Sequence, residues 1–121
     1  MDFYIKQNST MPYLVMEFDY KQYASHEFED FYKRLENSNI LFTMTNIEKC
    51  YTKIKCKPAL LYEVTKCIDE SCPKQYVIIY KFEKKDTSKK GIFEGMFEII
   101  FLDNGDVLRV PIKDKLYVHV I

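Results

Sequence analysis

Four cysteines are the side chains best suited to chemistry in this chain of 121 residues: Cys50, Cys56, Cys67 and Cys72, spaced C-x5-C-x10-C-x4-C. A zinc site draws on thiolates and imidazoles in two close pairs, with about two to four residues between the ligands of a pair. Only Cys67 and Cys72 come near that spacing, and the two histidines, His26 and His119, lie far off in sequence. The pattern argues against a metal centre. Cys67 and Cys72 flank Ile68-Asp69-Glu70-Ser71 in a hairpin-like loop and are the pair best placed for a disulfide. Disulfides persist in oxidising compartments. The opening Met1-Asp2-Phe3-Tyr4-Ile5-Lys6 lacks the basic segment and long apolar run of a secretory signal, so free thiols are expected.

Other chemistries find no purchase. With three glycines in total there is no phosphate-cradling loop, no G-x-S-x-G, and no cysteine with a histidine close by to act as base. His119 falls in an alternating terminal segment and reads as an exposed strand residue, and His26 falls in the first turn of a helix, where the dipole disfavours a charged ring. Asp103 and Asp106 bracket an Asn-Gly turn, but a calcium loop needs acidic or amide ligands over about twelve residues. No cofactor, metal or small-molecule substrate is expected, and the chain does not read as an enzyme.

One charged cluster remains. Lys81, Lys84, Lys85, Lys89 and Lys90 gather around a polar loop, interleaved with Tyr80, Phe82 and Phe93. Basic and aromatic residues together resemble a single-strand nucleic-acid surface. Strand aromatics are more often core, however, and Glu83 and Asp86 dilute the charge. Eighteen basic and eighteen acidic residues leave the chain neutral, without the basic excess of a general nucleic-acid binder. A contact between Lys84, Lys85, Lys89 and Lys90 and an acidic protein surface ranks above nucleic acid, and a solvated mixed-charge face ranks above both.

The elements that position these residues are mostly strands. Residues 76–83 are apolar, β-branched or aromatic at nearly every position. Residues 92–102 alternate, with Phe93, Phe97, Ile99 and Phe101 on one parity and Met96, Glu98, Ile100 and Leu102 on the other. Asp103-Asn104-Gly105-Asp106 predicts a type I′ hairpin. Residues 107–110 and 116–121 return, separated by Pro111, which has no N–H to donate. Earlier, residues 3–7 and 13–18 form a broken first strand that crosses between two sheets at Met11-Pro12. The alternation in 13–18 is poor enough to predict burial on both faces. Residues 39–46 alternate well, and residues 52–65 carry Pro58 as a bulge or break. The one convincing helix spans residues 25–37, capped by Ser25, with Phe28, Phe31, Tyr32 and Leu35 in one stripe. That stripe packs on the core or, through Phe28 and Tyr32, meets a partner.

The fold class is therefore mostly β: one domain over residues 1–121, an antiparallel sandwich of seven to eight strands with one short helix. Nine Phe, ten Tyr and no Trp make its core aromatic. No apolar run reaches the roughly 20 residues that cross a bilayer as a helix, so a cytoplasmic site of synthesis without membrane contact is expected.

The segment Asp86–Pro111, DTSKKGIFEGMFEIIFLDNGDVLRVP, resembles the immunoglobulin-like domains of tailed-bacteriophage virion proteins related to the N-terminal domain of the baseplate upper protein family. The positions that carry the likeness are Asp86, Thr87, Gly91, Phe93, Phe97, Phe101, Gly105 and Pro111. The opening segment Asp2–Pro12 and the strand NILFTMTN extend it over most of the chain. The resemblance implies an immunoglobulin-like sandwich in which these positions set the fold and none is catalytic. Baseplate adaptors continue beyond such a domain, whereas this sequence stops at Ile121. The expectation is then a multi-copy auxiliary or decoration protein of the capsid, or one associated with a head fibre, as in crAss-like phages. Its partners would be the major capsid protein or fibre and tail proteins, and its location the virion, after synthesis in the host cytoplasm. The alternatives are a tail or baseplate adaptor domain, and a small intracellular phage protein that inhibits a host protein.

Overall fold

A computed structural model describes residues 1–17, 33–64 and 75–121. Among them are nine strands: β1 (Asp2–Ile5), β2 (Leu14–Glu17), β3 (Ser38–Asn46), β4 (Thr52–Pro58), β5 (Leu60–Val64), β6 (Gln75–Tyr80), β7 (Gly91–Phe101), β8 (Val107–Val110) and β9 (Leu116–Val120). One sheet runs β1-β9-β7-β3-β4, with β8 also on β7; the other runs β2-β6-β5. Buried residues from both sheets form one core, so the two layers make a β-sandwich. Their order follows that of an immunoglobulin-like sandwich, in which B-E-D faces G-F-C extended by C′.

Alternation decides which side chains fill the core. Phe93, Phe97, Ile99 and Phe101 of β7 are buried, as are Ile40, Phe42 and Met44 of β3. Phe42 sits at the centre, with ring centroids 4.8 Å from Phe97, 4.6 Å from Tyr80 and 6.4 Å from Phe82. Gly95 makes room for it: a Cβ there would stand 3.0 Å from Phe42 Cε1 and 3.1 Å from Leu116 Cδ2. Aromatic rings thus take the volume that a tryptophan and a disulfide fill in antibody domains.

The first strand does cross between the layers: β1 lies in the larger sheet and β2 in the smaller, with a cis Met11–Pro12 bond in the corner between them. A second crossing occurs at Pro58-Ala59. Segment 52–65 breaks at Pro58, one of the two outcomes expected there, into β4 and β5 in different sheets, which raises the count to nine among the described residues. Burial of β2 on both faces does not hold: Leu14 and Met16 are buried, and Val15 stands open. The sandwich is also not wholly antiparallel, because β1 pairs with β9 in parallel. Pro111 interrupts the return strand as expected. Between Val110, opposite Phe97, and Leu116, opposite Gly95, five residues of the return face the single residue Met96.

The hairpin between β7 and β8 is not a type I′ turn. Gly105 alone has positive φ there, at +78°, while the Asn104 side chain accepts the Asp106 N–H at 3.0 Å. Phe101 closes the loop by donating to the Asp106 carbonyl and accepting from the Gly105 N–H, both at 2.9 Å. Asn104 is used for its amide rather than for left-handed backbone, and a four-residue loop results. Of the expected helix, residues 33–36 are helical and Leu35 is buried. Phe28, Phe31 and Tyr32 lie outside the described residues, as do His26, Cys67 and Cys72.

Candidate functional site

The turn between β6 and β7 carries four of the six side chains singled out from the sequence. After β6 the chain reaches a short 3-10 turn, Lys84–Thr87, then Ser88–Lys90, and enters β7 at Gly91. The Asp86 N–H donates to the Glu83 carbonyl at 3.0 Å, and Asp86 Oδ2 accepts the Glu83 N–H at 2.9 Å. This reciprocal pair closes the turn locally. Gly91 has φ +152°, and a Cβ there would meet Asn46 Nδ2 at 3.1 Å, so the exit is a glycine position.

Asp86 is buried, and three donors hold it. Besides the Glu83 N–H, the Tyr80 hydroxyl donates to Oδ2 at 2.8 Å and Lys57 Nζ to Oδ1 at 2.9 Å. Burial opposes the carboxylate charge, but these donors outweigh it and keep its pKa below the usual carboxylate range. Burial and the bond to Asp86 push the Tyr80 hydroxyl far above the ordinary phenol range. Partial burial works against the Lys57 ammonium, and Asp86 more than offsets it, raising the lysine.

Lys57 arrives there because β4 is irregular. Its partners step from Met44–Ile54 to Phe42–Lys57, so Lys55 and Cys56 together oppose Thr43. Cys56 takes φ 50° and donates its N–H to Thr43 Oγ1 at 3.2 Å. This bulge shifts the parity of the strand, and Lys57 joins the core side beside Phe42 instead of pointing to solvent. A second irregularity makes Lys53 the extra residue, and its Nζ donates to Ser88 Oγ at 2.8 Å.

The amino-terminal corner completes the fastening. Thr87, fully buried, donates through Oγ1 to the Ser9 carbonyl at 2.8 Å, and its own carbonyl accepts the Asn8 N–H at 2.9 Å. Gln7 Nε2 donates to the Ser88 carbonyl at 2.9 Å. The turn is bolted to β6, to β4 and to the β1–β2 crossing.

On this fixed base Lys84, Lys85, Lys89 and Lys90 are all exposed. Lys85 Nζ lies 3.3 Å from Glu83 Oε2, which Lys57 also approaches at 3.7 Å. The aromatic residues interleaved with them in sequence are elsewhere: Tyr80 and Phe82 are 3% exposed and Phe93 is closed to solvent. None of these three rings is presented for a base to stack on, so the interleaved pattern in the sequence is a core pattern.

The histidine and acidic candidates are tied up in the framework. His119 is half-buried rather than exposed, its Nε2 2.8 Å from Asp2 Oδ1 and its ring stacked on Tyr4 at 4.5 Å, where β1 docks on β9. Asp103, Asn104 and Asp106 converge on Arg34, whose Nε donates to Asp103 Oδ2 at 2.7 Å and whose Nη2 donates to Asn104 Oδ1 at 3.0 Å and Asp106 Oδ2 at 3.1 Å. Arg34 also lies over the Phe101 ring, 4.6 Å from its centroid. A guanidinium therefore takes the acidic oxygens that a cation would need. Cys50 and Cys56 are exposed free thiols. Among the described residues no three His, Cys, Asp or Glu side chains form a metal-binding group.

A groove of about 410 Å³ runs beside residues 35–41 and 58–61, lined by Leu35, Ile40, Leu41, Pro58 and Leu61 among others. Its one titratable side chain is Glu36, which accepts the Tyr76 hydroxyl. An acid–base or nucleophile–base pair is not assembled there. Compared with known proteins, the chain matches no family model, no curated protein and no solved structure.

Proposed function

We propose that this protein is a non-enzymatic adhesion module, an auxiliary component of a bacteriophage virion that binds acidic surfaces of neighbouring subunits, the capsid shell being its place. The observation that carries the adhesive part is the set of four exposed lysines on a turn whose backbone and buried side chains are fixed from three directions. Immobilising a charge-bearing loop in advance removes much of the ordering cost of a contact. Lysine side chains whose interleaved rings Tyr80, Phe82 and Phe93 are buried suit carboxylate-rich protein better than nucleobases. Modest affinity per copy suffices where many copies engage one particle. The virion part rests on the resemblance of Asp86–Pro111, whose quoted positions are buried or turn-forming here: Asp86, Thr87, Phe93, Phe97 and Phe101 in the core, Gly91 and Gly105 at positive φ.

Two measurements separate the two parts. Antibody against this chain, applied to purified particles under the electron microscope, is expected to label the head, and unlabelled particles would overturn the virion assignment. Binding of the purified chain to isolated capsid or tail proteins is expected to fall steeply with added salt. Salt-insensitive binding would remove the lysine turn from the contact.

A further inference from the structure

Asn104-Gly105 is the one place in the chain where an asparagine precedes a glycine. Such a pair is chemically reactive. With no Cβ on the second residue, its main-chain nitrogen can reach the asparagine Cγ and close a five-membered ring. Both residues are exposed in the β7–β8 hairpin, and Gly105 stands at φ +78°. The structure ties down each reacting group. The nucleophile, the Gly105 nitrogen, donates its hydrogen bond to the Phe101 carbonyl at 2.9 Å. The electrophile, the Asn104 amide, is held at both ends. Its Oδ1 accepts the Asp106 N–H and Arg34 Nη2, each at 3.0 Å, and its Nδ2 donates to Asp106 Oδ2 at 2.8 Å. Arg34 is itself fixed, with Nε donating to Asp103 Oδ2 at 2.7 Å and the guanidinium lying over the Phe101 ring.

We propose that Asn104-Gly105 is a self-modification site at which the chain deamidates, and that the Arg34 clip sets the rate by holding the amide out of reaction. The Gly105 nitrogen, stripped of its proton by hydroxide, forms a bond to Asn104 Cγ. The Cγ–Nδ2 bond then breaks, and Nδ2 departs as ammonia after taking a proton from water, which restores the hydroxide. Water opens the cyclic imide at either carbonyl and leaves aspartate or isoaspartate at position 104. No oxidant, reductant or cofactor enters. To begin, the amide must leave its three hydrogen bonds and the Gly105 N–H must leave Phe101, so the step proceeds from the opened hairpin. Exposed contacts open readily, and the clip slows the reaction without stopping it. The product cannot close the clip again. A third carboxylate then crowds Asp103 and Asp106 around one guanidinium, and the donor that faced Asp106 Oδ2 has become an acceptor. Isoaspartate also adds a methylene to the main chain inside the loop that Phe101 closes. The inference is independent of the proposed function: the hairpin follows the carboxyl end of β7, and the lysine turn precedes its amino end.

Mass spectrometry of the purified full chain, incubated in mildly alkaline buffer, tests this. Peptide mapping localises the small mass gain of an amide turned carboxylate, and chromatography separates isoaspartate from aspartate. The same chain unfolded in guanidinium chloride gives the unguarded rate. The folded wild type is expected to convert at Asn104 more slowly than the unfolded chain. Arg34→Ala is expected to convert about two- to fivefold faster than the folded wild type, the scale for losing one exposed network. Asp106→Ala removes the acceptor of Nδ2 but leaves Arg34 on Asp103; it too is expected to be faster, and it carries the test should Arg34→Ala fail to fold. Equal rates in the wild type and both variants overturn the inference, as does a wild type that converts as fast folded as unfolded. A slower Arg34→Ala would mean that the guanidinium steadies the ring-closing oxyanion, which overturns the guarding role. Conversion of Asn8, Asn37, Asn39 or Asn46 ahead of Asn104 in folded Arg34→Ala overturns the choice of site.

Discussion

The Tyr80 hydroxyl donates to Asp86 Oδ2 at 2.8 Å, joining the end of β6 to the turn that follows it. Tyr80 also packs its ring on Phe42, with centroids 4.6 Å apart, so one side chain links the polar turn to the aromatic core. Asp86→Asn is expected to cost roughly 3 kcal/mol, at the low end for breaking a buried charged pair because Lys57 is partly open to water. Urea denaturation of the two proteins measures this. The pH dependence has a fixed sign. The native pKa of Asp86 is lowered, so its contribution is complete above the ordinary Asp value of about 4 and is lost as pH falls through the lowered one. Tyr80 and Lys57 are raised, so theirs are complete below about 10 and are lost as pH rises through the raised values. Wild-type stability should therefore fall on both limbs, and the Asn variant should lose much of its dependence on the acid one.

Gly95 has a space-filling role. The Phe42 atoms that a Cβ would meet at 3.0 Å belong to a ring already held by Phe97, Tyr80 and Phe82, which leaves it little room to yield. Gly95→Ala is expected to destabilise by about 1–3 kcal/mol, the range for overpacking. A second substitution, Phe42→Leu, should make the alanine less costly than it is alone, and a double-mutant cycle checks the coupling.

Arg34 clips the β7–β8 hairpin to the helical turn at residues 33–36. These side chains are exposed, and exposed ion pairs add little to global stability. Arg34→Ala is expected to leave the thermal midpoint nearly unchanged while accelerating amide exchange at Gly105 and Asp106, read by nuclear magnetic resonance. Unaltered exchange at both amides would show that the loop stands without the clip.

Exposed lysines on a fixed base should be separable from folding. Replacing Lys84, Lys85, Lys89 and Lys90 together by serine is expected to change stability by less than about 0.5 kcal/mol per position. Retention on a cation-exchange column should drop, and binding to the acidic partner proposed above should be lost. A large loss of stability would mean that these side chains serve the turn itself.

Much of the β architecture is legible in the chain because alternation over β3 and β7 is clean and both sit at the centre of their sheet. The crossing at Met11-Pro12 is also legible, since a proline corner divides two apolar segments. The lysine turn is read correctly as an exposed loop, yet its fastening is not. Lys57 reaches Asp86 only because Cys56 adopts left-handed backbone and reverses the strand's parity, and no local signal marks a cysteine for that conformation. Thr87 bonds a carbonyl 78 residues earlier in the chain, a partnership that tertiary packing alone creates. Asn104 misleads in another way: Asn-Gly favours a two-residue turn by propensity, and Arg34, distant in sequence, recruits the amide into a longer loop.

The parallel docking of β1 on β9 bears on how the molecule takes tension. Asp2 pairs with Tyr117 and Ile5 with Val120, and the flanking bonds run from the Tyr117 N–H to the Met1 carbonyl at 2.8 Å and from the Ile121 N–H to the Ile5 carbonyl at 2.9 Å. A pull that draws Met1 and Ile121 apart is directed along both strands, so all of these bonds are sheared at once instead of being unzipped one after another. Stretched between anchors at its two ends, the protein would act as a stiff link that gives way abruptly, with β1 sliding off β9 as the first event.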